Sequence, residues 1–424
     1  MGQAGDSLTA TRSMAVGTLI SRATGFLRTL IIAAAIGEIV GDAYNIANTV
    51  PNIVYELLLG GVLTSVVVPL LVSAAQTDGD NGEAYAQRLL TVVVVGLGFA
   101  SVLAVALAPA IIHAYFGGSR HDARSIAIGI VFARFFLPQI FFYGVGALLG
   151  AILNVRGSFA PPMWAPILNN LVVIVTGALF IAVTRVSQVD AGRLTTGQEY
   201  LLAIGTTVGV IAQTVALFPA LRSVHFRLRL RLDLRGAGLT KAARLAGWVF
   251  VYVGANQLAY LEISRLANSG PHGAYSVYTY AFLLVLLPHS VVAVSVITAL
   301  LPRMSRSAGE GRTAAVATDL ASGVTLSAVI LIPAAFASIV LGPLIGAVLF
   351  AHHALGLSTG RLVGATLAAY AISLVPFSAF QLQLRAFYAL HDTRTPALVN
   401  IALAVINVGA DLVATAVFPA REQV

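Results

Sequence analysis

An all-α polytopic membrane protein with about eleven transmembrane helices is the fold class the sequence predicts, on three observations. Hydrophobic residues fill 58% of 424 positions and charged residues only 10%, against roughly a quarter charged in a soluble domain. Mean hydropathy is +0.89. The apolar residues gather into long uncharged runs, and about 20 such residues cross a hydrocarbon core of roughly 30 Å as a helix whose backbone groups are satisfied internally.

In order, the runs cover 13–36, 43–74, 88–116, 125–153, 162–184, 199–221, 242–268, 274–302, 314–350, 361–390 and 396–419. The first is too long and too charged for a signal peptide, and no small-residue cleavage site comes after it, so it counts as a span. The second carries Pro51 and Gly60-Gly61 and the eighth carries Pro288, which predicts tilted, kinked or broken helices there. The chain has no cysteine, which excludes disulfides and thiolate metal sites. Its histidines form no helix-face pair at metal spacing, and His352-His353 reads as a solvated loop pair.

Basic residues orient the chain, because short cytoplasmic loops retain Lys and Arg. With the N-terminus inside, the inside segments hold 14 Lys and Arg and the outside segments 6, so a cytoplasmic N-terminus is predicted. The strongest cluster is "RSVHFRLRLRLDLRGAGLTKAAR" at 222–244. It divides the chain into an N-lobe of six spans (1–221), a basic cytoplasmic linker (222–241) and a C-lobe of five spans (242–424). In a membrane protein such a run lies along anionic lipid headgroups, and it predicts no nucleic-acid partner. Two lobes imply an internal repeat. Pro51 and Pro69 in span two correspond to Pro288 and Pro302 in span eight, and the turns "NVRGSFAPPMWAPILNN" and "HDTRTPALVN" each place a basic turn before Pro and then Asn. The second lobe is one span short of the first, which predicts a chain cut from something longer.

Five arginines fall within spans: Arg22, Arg28, Arg134, Arg265 and Arg385. Each costs about 2.5–3.5 kcal/mol at a helix centre, so none is expected to face lipid. Arg385 is near enough to its cytoplasmic end to snorkel. Arg22 and Arg28 are six residues apart, about 9 Å along a helix axis. The acids in or near spans are few. Asp42 comes directly after Gly41 and reads as the N-cap of span two, Glu262 is placed to neutralise Arg265 three residues on, and Asp319 is interfacial. Arg22, Arg28 and Arg134 are left without a local partner. They serve either as ties between helices or as a cationic cavity, and such a cavity selects an anion, because Arg matches phosphate oxygens bidentately. In span eleven Asn407 and Asp411 share a helix face. They either pack helices through a polar face or offer a carboxylate and an amide oxygen to a hard monovalent cation.

These residues carry a resemblance. "SRATGFLR", then "GDAYNIANTVPNIV" and "PLLVSA", resemble the opening of the MurJ/MviN family of the MOP exporter superfamily, "GALLGAILNVRGSFAPPMWAPILNN" its fourth-to-fifth span turn, and "RAFYALHDTRTPALVNIAL" its tenth-to-eleventh. The resemblance implies a MATE-like fold of fourteen spans, the last three absent here, with two pseudo-symmetric lobes around a central cavity. It implies export of lipid II, a diphosphate-linked disaccharide peptide on a polyprenyl tail, across the bacterial plasma membrane by alternating access. Membrane lipids and the cell-wall synthesis machinery are the implied partners. Arg22, Arg28 and Asp42 match family cavity or gate positions, and a sodium ion is implied at Asn407 and Asp411, with the rest of its ligand set partly outside this sequence. Two departures matter. Tyr55, beside Glu56, and Leu283 stand where the family commonly has cavity arginines, and Arg134 and Arg265 are the candidates to replace them. Three other readings compete: a multidrug or cation antiporter, which calls for a carboxylate-rich cavity; a glycosyltransferase, for which the longest outside loop offers only Asp190 and Glu199; and a non-transporting scaffold.

Overall fold

The structure, a computed structural model, describes residues 2–57, 67–116, 123–184, 194–231, 257–258, 260–267, 273–352, 354–390, 392 and 394–417. Among these residues the regular structure is entirely helical. The chain divides into two compact units, Met1–Val253 and Gly254–Val424. In the first are α1 (Gly2–Leu57), α2 (Val68–Thr77), α3 (Glu83–Ala106), α4 (Ala108–Phe116), α5 (Ala123–Phe136), α6 (Gln139–Val155), α7 (Ala160–Thr184), α8 (Thr196–Val215) and α9 (Phe218–Ser223). The second holds a helical stretch at 260–267, then α10 (Ala274–Gly309), α11 (Thr313–Phe350), α12 (Leu357–Ala371), α13 (Leu374–Ala389) and α14 (Arg394–Val417).

Nine of the eleven predicted runs lie on helices long and apolar enough to cross a membrane, one of them as a pair bent by 54°. The second and seventh pass through 58–66 and 232–256, outside the described residues, as do Gly60-Gly61 and the linker beyond Arg231. Several spans are broken, but not at the prolines the sequence singled out. Pro51 and Pro288 lie within continuous helix. The breaks fall between α3 and α4, α5 and α6, α8 and α9, and α12 and α13, with Pro109, Pro138, Pro219 and Pro376 at or just inside the start of the second segment. There the ring lacks the N–H that would continue the helix and crowds the carbonyl four residues back. Spans one and two join in a single rod, α1, kinked at Gly37, where φ is 69°. That left-handed backbone carries no Cβ penalty in glycine.

Two glycine-mediated crossings hold the units. In the first unit, a Cβ on Gly205 or Gly209 of α8 would collide with Thr176 or Asn169 of α7. In the second, Gly342 and Gly346 of α11 face Gly360 and Gly364 of α12, and a Cβ at Gly342, Gly346 or Gly364 would fall under 3.0 Å from opposing backbone atoms. Small residues let helix backbones approach where there is no hydrophobic drive between helices in lipid. The opposite side of α11 exposes Val329, Ile332, Phe336, Val340 and Leu344, as a surface bathed in acyl chains requires.

Polar ties fix the ends. Thr195 and Gln198 form a reciprocal capping box at the start of α8 (3.3 and 3.0 Å). Arg124 pairs with the buried Glu199 carboxylate and donates to the Leu194 carbonyl at 3.1 Å. After α9 the basic segment runs extended. Phe226 is buried beneath the Arg156 guanidinium, 5.0 Å from its ring centroid, Gln87 donates to the Arg227 carbonyl at 2.8 Å, and the Arg231 N–H donates to Thr91 Oγ1 at 2.7 Å. Arg303 and Asp319 join α10 to α11 at 2.9 Å.

Candidate substrate site

Arg22 and Arg28 lie half-buried on the first arm of α1. Their helix is held by α7: Asn170 Nδ2 donates to the Ser21 carbonyl and to Thr24 Oγ1, both at 3.0 Å. Gly25 and Gly17 are the points of approach, one against Asn170 and the other against the Trp164 indole. Arg22 has a partner and is not the unpartnered cation the sequence suggested. Arg28 differs. Among the described residues it forms no ion pair, and its charge is felt by the hydroxyls of Tyr44 and Tyr143.

Those tyrosines build an aromatic wall in the first unit. Tyr44, beyond the kink, hydrogen-bonds Thr206 of α8 at 2.8 Å and sits edge-on to Phe132 and Phe136 of α5, 5.7 and 5.2 Å between centroids. Tyr143 of α6 lies 4.4 Å from the ring of Tyr55 and donates a long bond, 3.4 Å, to Asn52 Oδ1. Tyr55, which stands where another arginine was sought, thus contributes a ring rather than a charge. A guanidinium whose charge reaches phenol hydroxyls, and which no carboxylate pairs among the described residues, offers donors to an anion in a setting where hydrogen bonds are stronger than in water.

The other predicted residues have more varied surroundings. Asp42 is buried and partnered, but the helix restarts at the Gly37 kink, so Asp42 stands a full turn inside it and is not an N-cap. Arg134 is exposed, off the face of α5 that buries Phe132, Ala133 and Phe136, and it makes no bond or ion pair among the described residues. Arg265 pairs with Glu262 at 3.6 Å, as its spacing predicted. Asn407 is exposed on α14 and Asp411 half-buried, near the hydroxyls of Tyr278 and Tyr370. No cluster of three or more metal-ligating His, Asp or Glu occurs among the described residues. Of the two outside-loop acids, Glu199 is committed to Arg124, and Asp190 lies outside the described residues.

Neither the tyrosine wall nor the second unit's ring cluster was picked out in the sequence. Tyr278 and Phe282 carry a local signal, aromatics at i and i+4, but their partner Tyr370 comes from another helix.

The family model for "Lipid II flippase MurJ" matches residues 32–420. The chain belongs to the MurJ family. It is 28% identical over 398 residues to the lipid II flippase MurJ of Burkholderia cenocepacia, covering 92% of this chain and 74% of that one. To a probable lipid II flippase MurJ of Haemophilus influenzae it is 26% identical, covering 94% and 79%. A solved MurJ in an inward closed conformation superposes with a TM-score of 0.80 at 19% identity, over 97% of this chain and 83% of that one. An inward-facing multidrug resistance MATE transporter of the MOP superfamily gives 0.72 at 14% identity, over 92% and 86%, a likeness of fold. The MurJ match favours the flippase reading over the antiporter, glycosyltransferase and scaffold readings.

Proposed function

We propose that this multi-pass protein moves lipid II from the inner to the outer leaflet of a bacterial plasma membrane, N-terminus in the cytoplasm, to supply cell-wall synthesis. Membership of the MurJ family supports the substrate. The observation that carries the site is Arg28, a cation within a span, without an ion pair among the described residues, whose charge reaches the hydroxyls of Tyr44 and Tyr143. A guanidinium so placed is free to bind diphosphate oxygens in a two-pronged fashion.

We assign Arg22 and Arg28 to the headgroup, Asp42 to the gate on the same rod, and Arg134 and Arg265 to the substrate path, Arg265 acting with its charge moderated by Glu262. Asn407 and Asp411 would hold a sodium ion together with ligands from other spans, the carboxylate supplying charge and the amide an oxygen. No bond is broken in the cycle. The headgroup crosses through a polar path while the polyprenyl tail stays in lipid. An inside-negative potential favours outward movement of the anionic headgroup by about 2.3 kcal/mol per charge per 100 mV.

The test is complementation in cells depleted of their own flippase, with lipid II on the outer leaflet as the readout and protein level checked in the membrane. Arg28→Ala is expected to abolish exposure of lipid II at normal protein level, and Arg28→Lys to retain part of it. Unimpaired export by Arg28→Ala would remove the headgroup role. In proteoliposomes an imposed potential should change the rate.

A further inference from the structure

Three rings of the second unit share one face. Tyr278 and Phe282, four residues apart on α10, lie nearly parallel, 9° between planes and 6.4 Å between centroids. Tyr370 of α12 meets both from the side, 5.7 Å from Tyr278 at 67° and 6.0 Å from Phe282 at 60°. Behind them Tyr275 is fully buried, stacked on Tyr278 at 6.4 Å, with its hydroxyl 3.1 Å from that of Tyr260. The buried tyrosine braces the cluster, and the outer rings stay open: Phe282 is 36% exposed, and Tyr278 and Tyr370 are partly exposed.

Exposed aromatics on a membrane helix ordinarily face lipid or the headgroup layer. One observation argues for a watery path here. The half-buried Asp411 carboxylate of α14 acts electrostatically on both tyrosine hydroxyls, and a carboxylate inside a span faces a polar cavity rather than acyl chains. Open ring faces edged by hydroxyls and a carboxylate suit a pyranose. Its flat C–H face packs on an aromatic face, and its hydroxyl rim finds hydrogen-bond partners at the edge.

We propose that Tyr278 and Phe282, braced by Tyr370, form the surface on which a sugar ring of the transported headgroup stacks. The inference rests on the flippase reading and adds to it. The arginines respond to the diphosphate that every polyprenyl diphosphate carries, whereas the rings respond to the glycan and so separate the finished precursor from the bare carrier lipid.

The experiment measures binding of lipid II and of sugar-free polyprenyl diphosphate to the full chain in lipid nanodiscs. Phe282→Leu is expected to weaken lipid II roughly five- to tenfold, the worth of one ring contact, and to leave the sugar-free lipid within about twofold. Tyr278→Leu should behave alike, while Phe282→Trp and Tyr278→Phe, which keep a ring, should bind lipid II normally. Equal weakening of both lipids, or no change in either, overturns the platform. A wild-type protein that binds the two lipids equally overturns it and leaves the flippase reading standing. A wild-type protein that binds neither overturns the flippase reading and the platform with it.

Discussion

Gly346 lies so close to Gly360 that a Cβ built on Gly346 would fall under 3.0 Å from the Gly360 carbonyl oxygen. The atom in the way is backbone and has no rotamer to escape into, so α11 and α12 must separate to admit any side chain. Gly346→Leu is therefore expected to cost at least about 1–3 kcal/mol, in the range of core overpacking. It should lower the thermal midpoint and the yield of folded protein in detergent. Gly409, whose Cβ would meet nothing within 4 Å, is the control, and Gly409→Ala should leave both unchanged. A Gly346→Leu protein as stable as wild type would show that the crossing is looser than described.

Arg124 and Glu199 make a second test. The carboxylate is 4% exposed and the guanidinium 42%, so removing the arginine strands a buried acid that water reaches only from one side. Arg124→Gln should destabilise by about 1–3 kcal/mol, a value reduced for that solvent access. Replacing both residues, Arg124→Gln with Glu199→Gln, should recover much of the loss, because no charge is then left buried. Thermal unfolding of the two single variants and the double variant reads the coupling, and strict additivity would count against it.

Asp392 predicts a pH effect. Its Oδ1 accepts from the backbone N–H groups of Arg394 and Thr395, both at 3.0 Å, at the start of α14. Hydrogen bonding to Thr395 holds its carboxyl below the usual range. A carboxylate whose pKa is depressed on folding adds stability above its unfolded value and loses it as pH falls through the folded value. Protection of the first amides of α14 relative to their intrinsic exchange rate should thus fall in acid below the ordinary carboxylate range, and Asp392→Ala should lack that protection at every pH. Unchanged protection in Asp392→Ala at matched pH would show that the cap does not hold these amides.

Counting apolar residues was enough to make the spans legible in the sequence. A span must be long and uncharged whatever it packs against, so α3 through α8 and α10 through α14 fall where hydropathy put them. Breaks were less legible, because a proline is tolerated in the first turn of a helix as readily as it ends one. Nothing local separates Pro138, where a span breaks, from Pro51, where it does not. Asp42 was misjudged for a related reason: Gly41 beside it looked like the break, but the backbone turned at Gly37. For the site, the Glu262 and Arg265 pair could be read from spacing on one helix. The partner of Glu199 is 75 residues away, and the tyrosines whose hydroxyls feel the Arg28 charge come from α1 and α6. Such groupings have no linear pattern to read.

The kink at Gly37 gives α1 two arms with unlike cargo. Arg22 and Arg28 ride on one, and Asp42, Tyr44 and Tyr55 on the other. Because the arms are otherwise continuous helix, the torsion of one residue sets the angle between charge and rings. A change of torsion at this single glycine would therefore re-aim the arginine arm against the tyrosine arm while leaving each arm's own helix intact.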